Sequence, residues 1–165
     1  MNKITFVEIR EDHIPDLLSI YNHYVLSSTI TFNTEPLSEL EMKNLIMNHN
    51  SNRYKSFVIL NHEFISGYIL ITQYKARQAY DNTAEITIYL KPEFIGQGLG
   101  KHSLQFIEGV AKDKGFHTLV AGLCTENERS RHLFEGNGYL KCAHFKEIGY
   151  KFGRFLDVEY FQKMI

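Results

Sequence analysis

The sequence predicts an α+β domain with a mixed sheet, in the order β-α-α-β-β-β-α-β-α-β-β. Apolar residues alternate with a period of two in several short stretches and recur at helical spacing in others. A capping box at Ser38-Glu39-Leu40-Glu41 and glycines at 115 and 138 mark where helices start and stop. No internal repeat, low-complexity segment or linker interrupts the 165 residues, so a single domain over 1–165 is expected.

Ile4, Phe6 and Glu8 alternate with Thr5, Val7 and Ile9, the pattern of an opening strand that extends the alternation of residues 1–10. Asp12 is placed to cap a first helix, Pro15 is tolerated in its first turn, and Ile14, Leu17, Leu18, Tyr21 and Val25 share a face. Residues 26–36 read as a polar loop carrying the lone aromatic Phe32, either a core side chain or a substrate contact. Leu37 and Met42 staple the second helix, which runs to about Met47. Residues 49–53 connect it to strands at 56–60 and 64–72, which form a hairpin around Asn61-His62-Glu63. Gly67 marks a bulge or a close backbone approach. A polar loop at 74–82, with Lys75, Arg77 and Tyr80, leads to the next strand.

That strand, with the turn and helix after it, forms the centre of the chain. Ile86, Ile88 and Leu90 alternate with Thr87 and Tyr89, and Pro92 ends the pleat. Gly96, Gly98 and Gly100 then open a helix whose buried face is Leu104, Ile107 and Ala111, joined by Phe106 and Val110. Lys101, Gln105, Glu108 and Lys112 are expected in water, and Gly115 closes the helix. Unpaired N–H groups at a helix N-terminus suit a phosphate, and glycine lets it come close; the same glycines also suit a tight strand-to-helix turn. His102 stands where a Walker loop needs Ser or Thr for magnesium, and the glycine spacing is not that of a dinucleotide fingerprint. The loop fits a pyrophosphate without a metal, such as that of coenzyme A. Beyond it, residues 118–123 read as a buried strand, and Asn127 caps a fourth helix ending at Gly138. Strands at 139–148 and 156–165 flank a turn at 149–153.

Composition narrows the functional classes. Hydrophobic residues make up 44% and charged residues 22% of the chain, with a net charge of −1, so no nucleic acid or anionic membrane is implied. The opening alternation is not a signal peptide, and no window approaches the ~20 apolar residues of a membrane span. Cys124 and Cys142 form no C-x-x-C, which fits a reducing cytoplasm. Eight histidines show no ligand spacing, so no metal is expected.

The order of elements and the string Ile95-Gly96-Gln97-Gly98-Leu99-Gly100 resemble the GNAT superfamily of acyl-CoA-dependent N-acetyltransferases. The motif there is [QR]-x-x-G-x-[GA], and Ile95 departs at its first place. Asn127 and Phe134 match a second motif, an Asn about seven residues before an aromatic or His. Tyr21-Asn22, Ser28-Thr29, Phe32, Thr34-Glu35-Pro36, Arg77, Tyr80, Thr83, Glu85, Val120-Ala121-Gly122 and Lys151-Phe152-Gly153-Arg154 together look like the phosphinothricin and methionine-sulfoximine N-acetyltransferase branch. That resemblance implies a three-layer fold, with a mostly antiparallel sheet between helices on both faces, and a homodimer. It implies acetyl-CoA on Ile88, Tyr89, Leu90, Gly96, Gln97, Gly98, Leu99, Gly100 and Lys101, with Asn127 near the pantetheine arm. It implies a free amino-acid analogue on Phe32, Lys75, Ala76, Arg77, Tyr80, Glu85, Ile86 and Thr87. The branch usually has His where Phe134 stands, and His132, two residues away, lies on a different helix face.

Amide formation from a thioester needs a neutral amine. A free α-amine has a pKa of about 7.7–8.0, so roughly a tenth is neutral at pH 7 and a modest base suffices. Glu85, among apolar neighbours, is the candidate, its pKa raised by partial burial; the alternative is a solvated strand carboxylate. The planar fork of Arg77 suits a carboxylate or phosphinate, with Lys75 and Tyr80 adding single contacts, unless the loop is merely a solvated basic one. Residues 150–154 suit a dimer interface or a plain hairpin turn. Two other readings remain: an acyl-CoA-binding regulator without turnover, and an enzyme acting on a protein N-terminus or lysine.

Overall fold

The computed structural model describes residues 4–165, so residues 1–3 of the expected opening strand lie outside the described residues. Strands β1 (Ile4–Glu8), β2 (Lys55–Asn61), β3 (Phe64–Gln73), β4 (Thr83–Leu90), β5 (Thr118–Cys124), β6 (Leu140–Lys151) and β7 (Arg154–Met164) form one sheet in the order β1-β2-β3-β4-β5-β7-β6. Among the described residues, only the β4–β5 pair is parallel. Helices α1 (Ile14–Ser27) and α2 (Glu39–Met47) cover one face, burying Leu17, Tyr21, Met42 and Ile46 against Val58, Tyr68 and Leu70. Helices α3 (Leu99–Asp113) and α4 (Glu128–Glu135) cover the other, where Leu104, Ile107, Ala111 and Phe134 meet Ile69, Ile86, Leu119 and Phe161. Strand alternation supplies both sets, because successive side chains point to opposite faces. The α+β fold and its mixed, mostly antiparallel, three-layer arrangement are as expected.

Ser38 caps α2 as its sequence demands: its hydroxyl accepts from the Glu41 N–H (3.3 Å) and the Glu41 carboxylate accepts from the Ser38 N–H (2.8 Å). Asp12 does not cap α1. Arg10, two residues earlier, takes its carboxylate in a two-pronged pair at 3.0 and 3.1 Å, and the chain enters α1 through a short 3-10 turn at Glu11–His13. The buried face of α1 is also wider than expected, taking in Ile20 and Tyr24 while Leu18 stays half-buried. Gly67 is a close approach: a Cβ there would lie 2.3 Å from the Tyr89 carbonyl oxygen, and the bulge falls one step away in the β2–β3 register.

Three further expectations change. Glu108 is half-buried and pairs with Lys163 at 2.8 Å, because β7 passes beneath that side of α3. Helix α4 stops at Glu135, where the Phe134 carbonyl accepts from the Tyr139 N–H across a turn completed by Gly138 at φ +85°. The last two strands pair up to a two-residue turn at Phe152 and Gly153, both at positive φ, in place of the five-residue turn. The hairpin carries a bulge between Phe145 and Gly149, where Asp157 accepts from the Glu147 N–H (2.8 Å) and pairs with His144 (2.7 Å).

Candidate active site

Strand β4 pairs with β3 from Gly67↔Leu90 to Gln73↔Ala84, but with β5 only at Thr83, Ala84 and Glu85. Beyond Glu85 the two parallel strands part, and the β5-facing edge of Ile86–Leu90 is left without a ladder partner. Backbone amides on such an edge can pair with an extended, amide-bearing arm. The parting opens a cleft of about 1040 Å³, bounded by the β4 edge, the glycine turn, the start of α4 and the end of α1. That volume is at the upper end of ligand-binding pockets.

The glycine turn shapes the mouth. Gly96 and Gly98 have φ of +82° and +83°, and Gly98 is the N-cap of α3. A Cβ at Gly96 would meet nothing within 4 Å, and one at Gly98 only the His102 ring at 4.0 Å. Both are therefore glycine for conformation and access, not for packing. Bonding within α3 begins with the His102 N–H, which donates to the Gly98 carbonyl at 3.2 Å. The N–H groups of the preceding turn have no acceptor in the helix, and the dipole adds positive potential there. Gly100 differs: a Cβ would lie 2.9 Å from the Leu133 side chain, so it lets α3 approach α4. The turn thus offers the open cradle of unpaired amides that a pyrophosphate needs.

Of the residues expected to hold acetyl-CoA, Ile88, Tyr89, Leu90, Gly96, Gly98, Gly100, Lys101 and Asn127 line the cleft. Gln97 turns away, its amide donating to the Glu93 carbonyl at 2.9 Å, and Leu99 is buried in the core. Asn127 caps α4, its side-chain oxygen accepting from the Ser130 N–H at 3.1 Å. Phe134 is buried at the cleft wall, edge-on to Tyr139, and presents no proton donor.

Of the residues expected to hold the amine substrate, Ile86 and Thr87 line the same cleft. Glu85 is half-buried at the point where β4 and β5 part, and burial raises its pKa above the usual carboxylate range. Its carboxylate has no hydrogen-bond partner among the described residues that would offset this. Lys75, Ala76 and Arg77 are exposed on the loop before β4; the Lys75 ammonium lies over the rings of Tyr74 (5.1 Å) and Tyr80 (5.4 Å). Phe32 stands apart from the cleft wall and packs on the β6–β7 hairpin, where a Cβ at Gly149 would be 2.3 Å from its ring.

Several cleft residues carry no local signal in the sequence. The Tyr24 hydroxyl donates to the Leu90 carbonyl, joining α1 to the end of β4. Glu126 receives the Arg154 guanidinium on both oxygens and the Thr29 hydroxyl at 2.9 Å, and these contacts hold its pKa down to about 2. Buried Lys151 donates to the Thr31 carbonyl at 2.8 Å. Together they bind the loop after α1 to the β6–β7 hairpin. Thr29 and the Lys151–Arg154 string resemble the branch, but only the tertiary fold reveals what they join.

A helix N-terminus open to a diphosphate, continuous with a slot between parted parallel strands, suits an elongated nucleotide carrier with an amide-bearing arm. Residues 7–159 match the family model described as an acetyltransferase (GNAT) domain, and the chain belongs to that family. It is 31% identical over 156 residues to a phosphinothricin N-acetyltransferase of Streptomyces coelicolor, covering 93% of this chain and 91% of the relative. An L-methionine sulfoximine/L-methionine sulfone acetyltransferase of Salmonella typhimurium is 27% identical over 149 residues, 88% of this chain and 85% of its own length. Among solved structures, a phosphinothricin acetyltransferase from Sinorhizobium meliloti in complex with acetyl-CoA superposes with a TM-score of 0.92 at 28% identity, covering 98% of this chain and 88% of that one. The protein is an acetyl-CoA-dependent N-acetyltransferase, with acetyl-CoA as its co-substrate. No group of residues suited to a metal ion occurs among the described residues, and no described helix is long and apolar enough to cross a membrane.

Proposed function

We propose that the protein moves an acetyl group from acetyl-CoA to the α-amine of a small amino-acid-like substrate of the phosphinothricin or methionine sulfoximine/sulfone type, with Glu85 as general base. The observation that carries this is the Glu85 carboxylate: half-buried, without a hydrogen-bond partner among the described residues, and at the head of the slot between β4 and β5. A carboxylate whose pKa is raised by burial holds a proton better than a solvated one, which brings it closer to the range a general base needs.

Acetyl-CoA supplies an acyl thioester when bound. Its diphosphate belongs on the amides at Gly96–Lys101, and its pantetheine arm along the free edge of Ile86–Leu90, with Asn127 beside it. The amine nitrogen forms a bond to the acyl carbon as the C–S bond breaks, and its proton passes to Glu85 directly or through one water. The leaving thiolate has a pKa near ~8.5, so solvent can protonate it and the apolar Phe134 is no obstacle. Arg77, Lys75 and Tyr80 project from a loop next to β4 and supply donors for the acid group of the substrate. Ala76, Ile86 and Thr87 complete the amine side in this reading, while Phe32 serves only to hold the β6–β7 hairpin.

Residues 1–165 are read as one catalytic unit that works as a homodimer in the cytoplasm. Exposed Ile148, Tyr150, Phe152 and Phe155 on the terminal hairpin support the dimer, and two unpaired cysteines, Cys124 and Cys142, support the compartment. Release of free CoA thiol across a panel of amino acids, peptides and polyamines tests the function. Turnover should be fastest with phosphinothricin and methionine sulfone. Preference for peptide N-termini would overturn the substrate class, and tight acetyl-CoA binding without turnover of any amine would favour a regulator.

A further inference from the structure

Strand β7 brings a tyrosine to the sheet face that carries Glu85. Phe161 belongs to the core beneath α3 and α4, as do Leu119, Ala121, Ala84 and Ile86. Alternation therefore turns Tyr160, Gly122, Glu85 and Thr87 to the opposite face of the sheet. Tyr160 pairs with Gly122 on β5, and Val120, two residues before Gly122, pairs with Glu85 on β4. A phenol on β7 can approach Glu85 only by crossing β5.

Gly122 permits that crossing. A Cβ there would lie 2.9 Å from Tyr160 Cζ and 3.2 Å from its hydroxyl oxygen, so the hydroxyl end of the ring lies on the bare backbone of β5. Gly122 itself lines the cleft. Phe145 on β6 supports the ring edge-on, with centroids 5.9 Å apart. The Tyr160 hydroxyl has no hydrogen-bond partner among the described residues, and its pKa is raised first by burial, then by the charges of Glu85 and Tyr74. A half-buried phenol with a free O–H thus shares a sheet face with the base, across the bare backbone of β5. A phenol is protonated at neutral pH, and a protonated phenol donates.

We propose that Tyr160 is a specificity-determining residue whose hydroxyl donates a hydrogen bond to an acid-group oxygen of the amine substrate, with Gly122 kept free of a side chain so that the ring can lie across β5. The inference rests on the proposed amine class. A half-buried donor set against bare backbone favours substrates that bring an acceptor to it, because a substrate without one displaces water from the hydroxyl and replaces no hydrogen bond.

Calorimetry on CoA-saturated protein tests it without turnover. Tyr160→Phe should weaken phosphinothricin binding roughly ten- to a hundredfold, as for a lost hydrogen bond to a charged group. Affinity for CoA should stay within about twofold, since the phenol is remote from the glycine turn. Gly122→Ala should reproduce the loss by displacing the ring with its hydroxyl intact. An amine without an acid group should bind wild type and Tyr160→Phe equally. Equal phosphinothricin affinity in wild type and Tyr160→Phe, or an equal loss on the acid-free amine, overturns the assignment and leaves the amine class standing. Failure of wild type to bind any acid-bearing amine overturns the amine class and this inference with it. Turnover by Glu85→Gln at the wild-type rate removes the base alone, and Tyr160 is then judged on its own binding difference.

Discussion

Placing a carboxylate at Gly98 should separate the fold from its cofactor. Gly98 is the N-cap of α3 at φ +83°, where a side chain costs about 1–2 kcal/mol of backbone strain. Nothing but the His102 ring, at 4.0 Å, lies near a Cβ there, so no clash adds to that cost. A glutamate at the positive end of the helix recovers about 0.3–1 kcal/mol, leaving a net loss near 1 kcal/mol. For a chain of this size that lowers Tm by roughly 2–4 °C, and Gly98→Glu should remain folded. CoA should suffer far more. One like charge about 4 Å from a phosphate, at an effective dielectric of about 20, costs about 4 kcal/mol, or nearly a thousandfold in affinity. Gly98→Ala carries the strain without the charge and should lose less than about tenfold. Calorimetry with CoA and thermal melts on the three proteins decide the matter. A folded Gly98→Glu with wild-type CoA affinity would remove the diphosphate from this turn, and equal losses in the two variants would refute the electrostatic part.

Other perturbations test neighbouring links. Gly100→Ala should impair stability more than CoA binding, because its Cβ would press on Leu133 and push α3 from α4; denaturant unfolding beside CoA titration would reveal the reverse. Arg77→Ala should raise KM for free amino acids and spare acetyl-CoA, with a modest effect because the side chain is exposed; an unchanged KM would place the substrate acid group elsewhere. Glu85→Gln should raise Tm at pH 7. Burial lifts the Glu85 pKa, so its favourable contribution belongs to the neutral form and is lost as pH rises through the folded value. The difference in Tm should vanish near pH 3, and a fall in Tm at pH 7 would contradict it. The Glu126 pKa is held down by Arg154 and Thr29, so the tie between the α1 loop and the hairpin is present above about 4.5 and lost as pH falls toward about 2. Hydrogen exchange at residues 28–32 should quicken over that range in wild type but not in Glu126→Gln.

The parts legible in the sequence are those governed by local rules. The period-two strand of Ile86–Leu90, the glycine turn and the Ser38 capping box each depend on residues within a few positions of one another, and each forms as expected. The capping rule fails at Asp12 because it considers only the helix, whereas Arg10 competes for the carboxylate. The terminal strands are legible at 139–148 and 156–165, but not their full reach, because the bulge at Glu147 breaks the period before β6 resumes and makes 149–153 read as a turn. The site divides the same way. Glycines at the cleft mouth announce themselves by spacing, but Tyr24 on Leu90, Arg154 on Glu126 and Tyr160 over Gly122 are contacts between residues far apart in the chain. No periodicity encodes them. Glu85 is legible as a carboxylate among apolar residues, yet its place at the head of the slot depends on where the β4–β5 ladder ends.

The pH dependence of kcat/KM, measured with phosphinothricin for wild type and Glu85→Gln, tests the catalytic claim most directly. Wild type should show an acid limb with a midpoint above the ordinary glutamate range, as burial of Glu85 requires. Glu85→Gln should lack that limb, lose about 10²–10⁴ in rate at neutral pH, and narrow the gap above pH 8, where the amine deprotonates unaided. Its CoA affinity should match wild type. Superimposable profiles with equal rates would contradict Glu85 as the base.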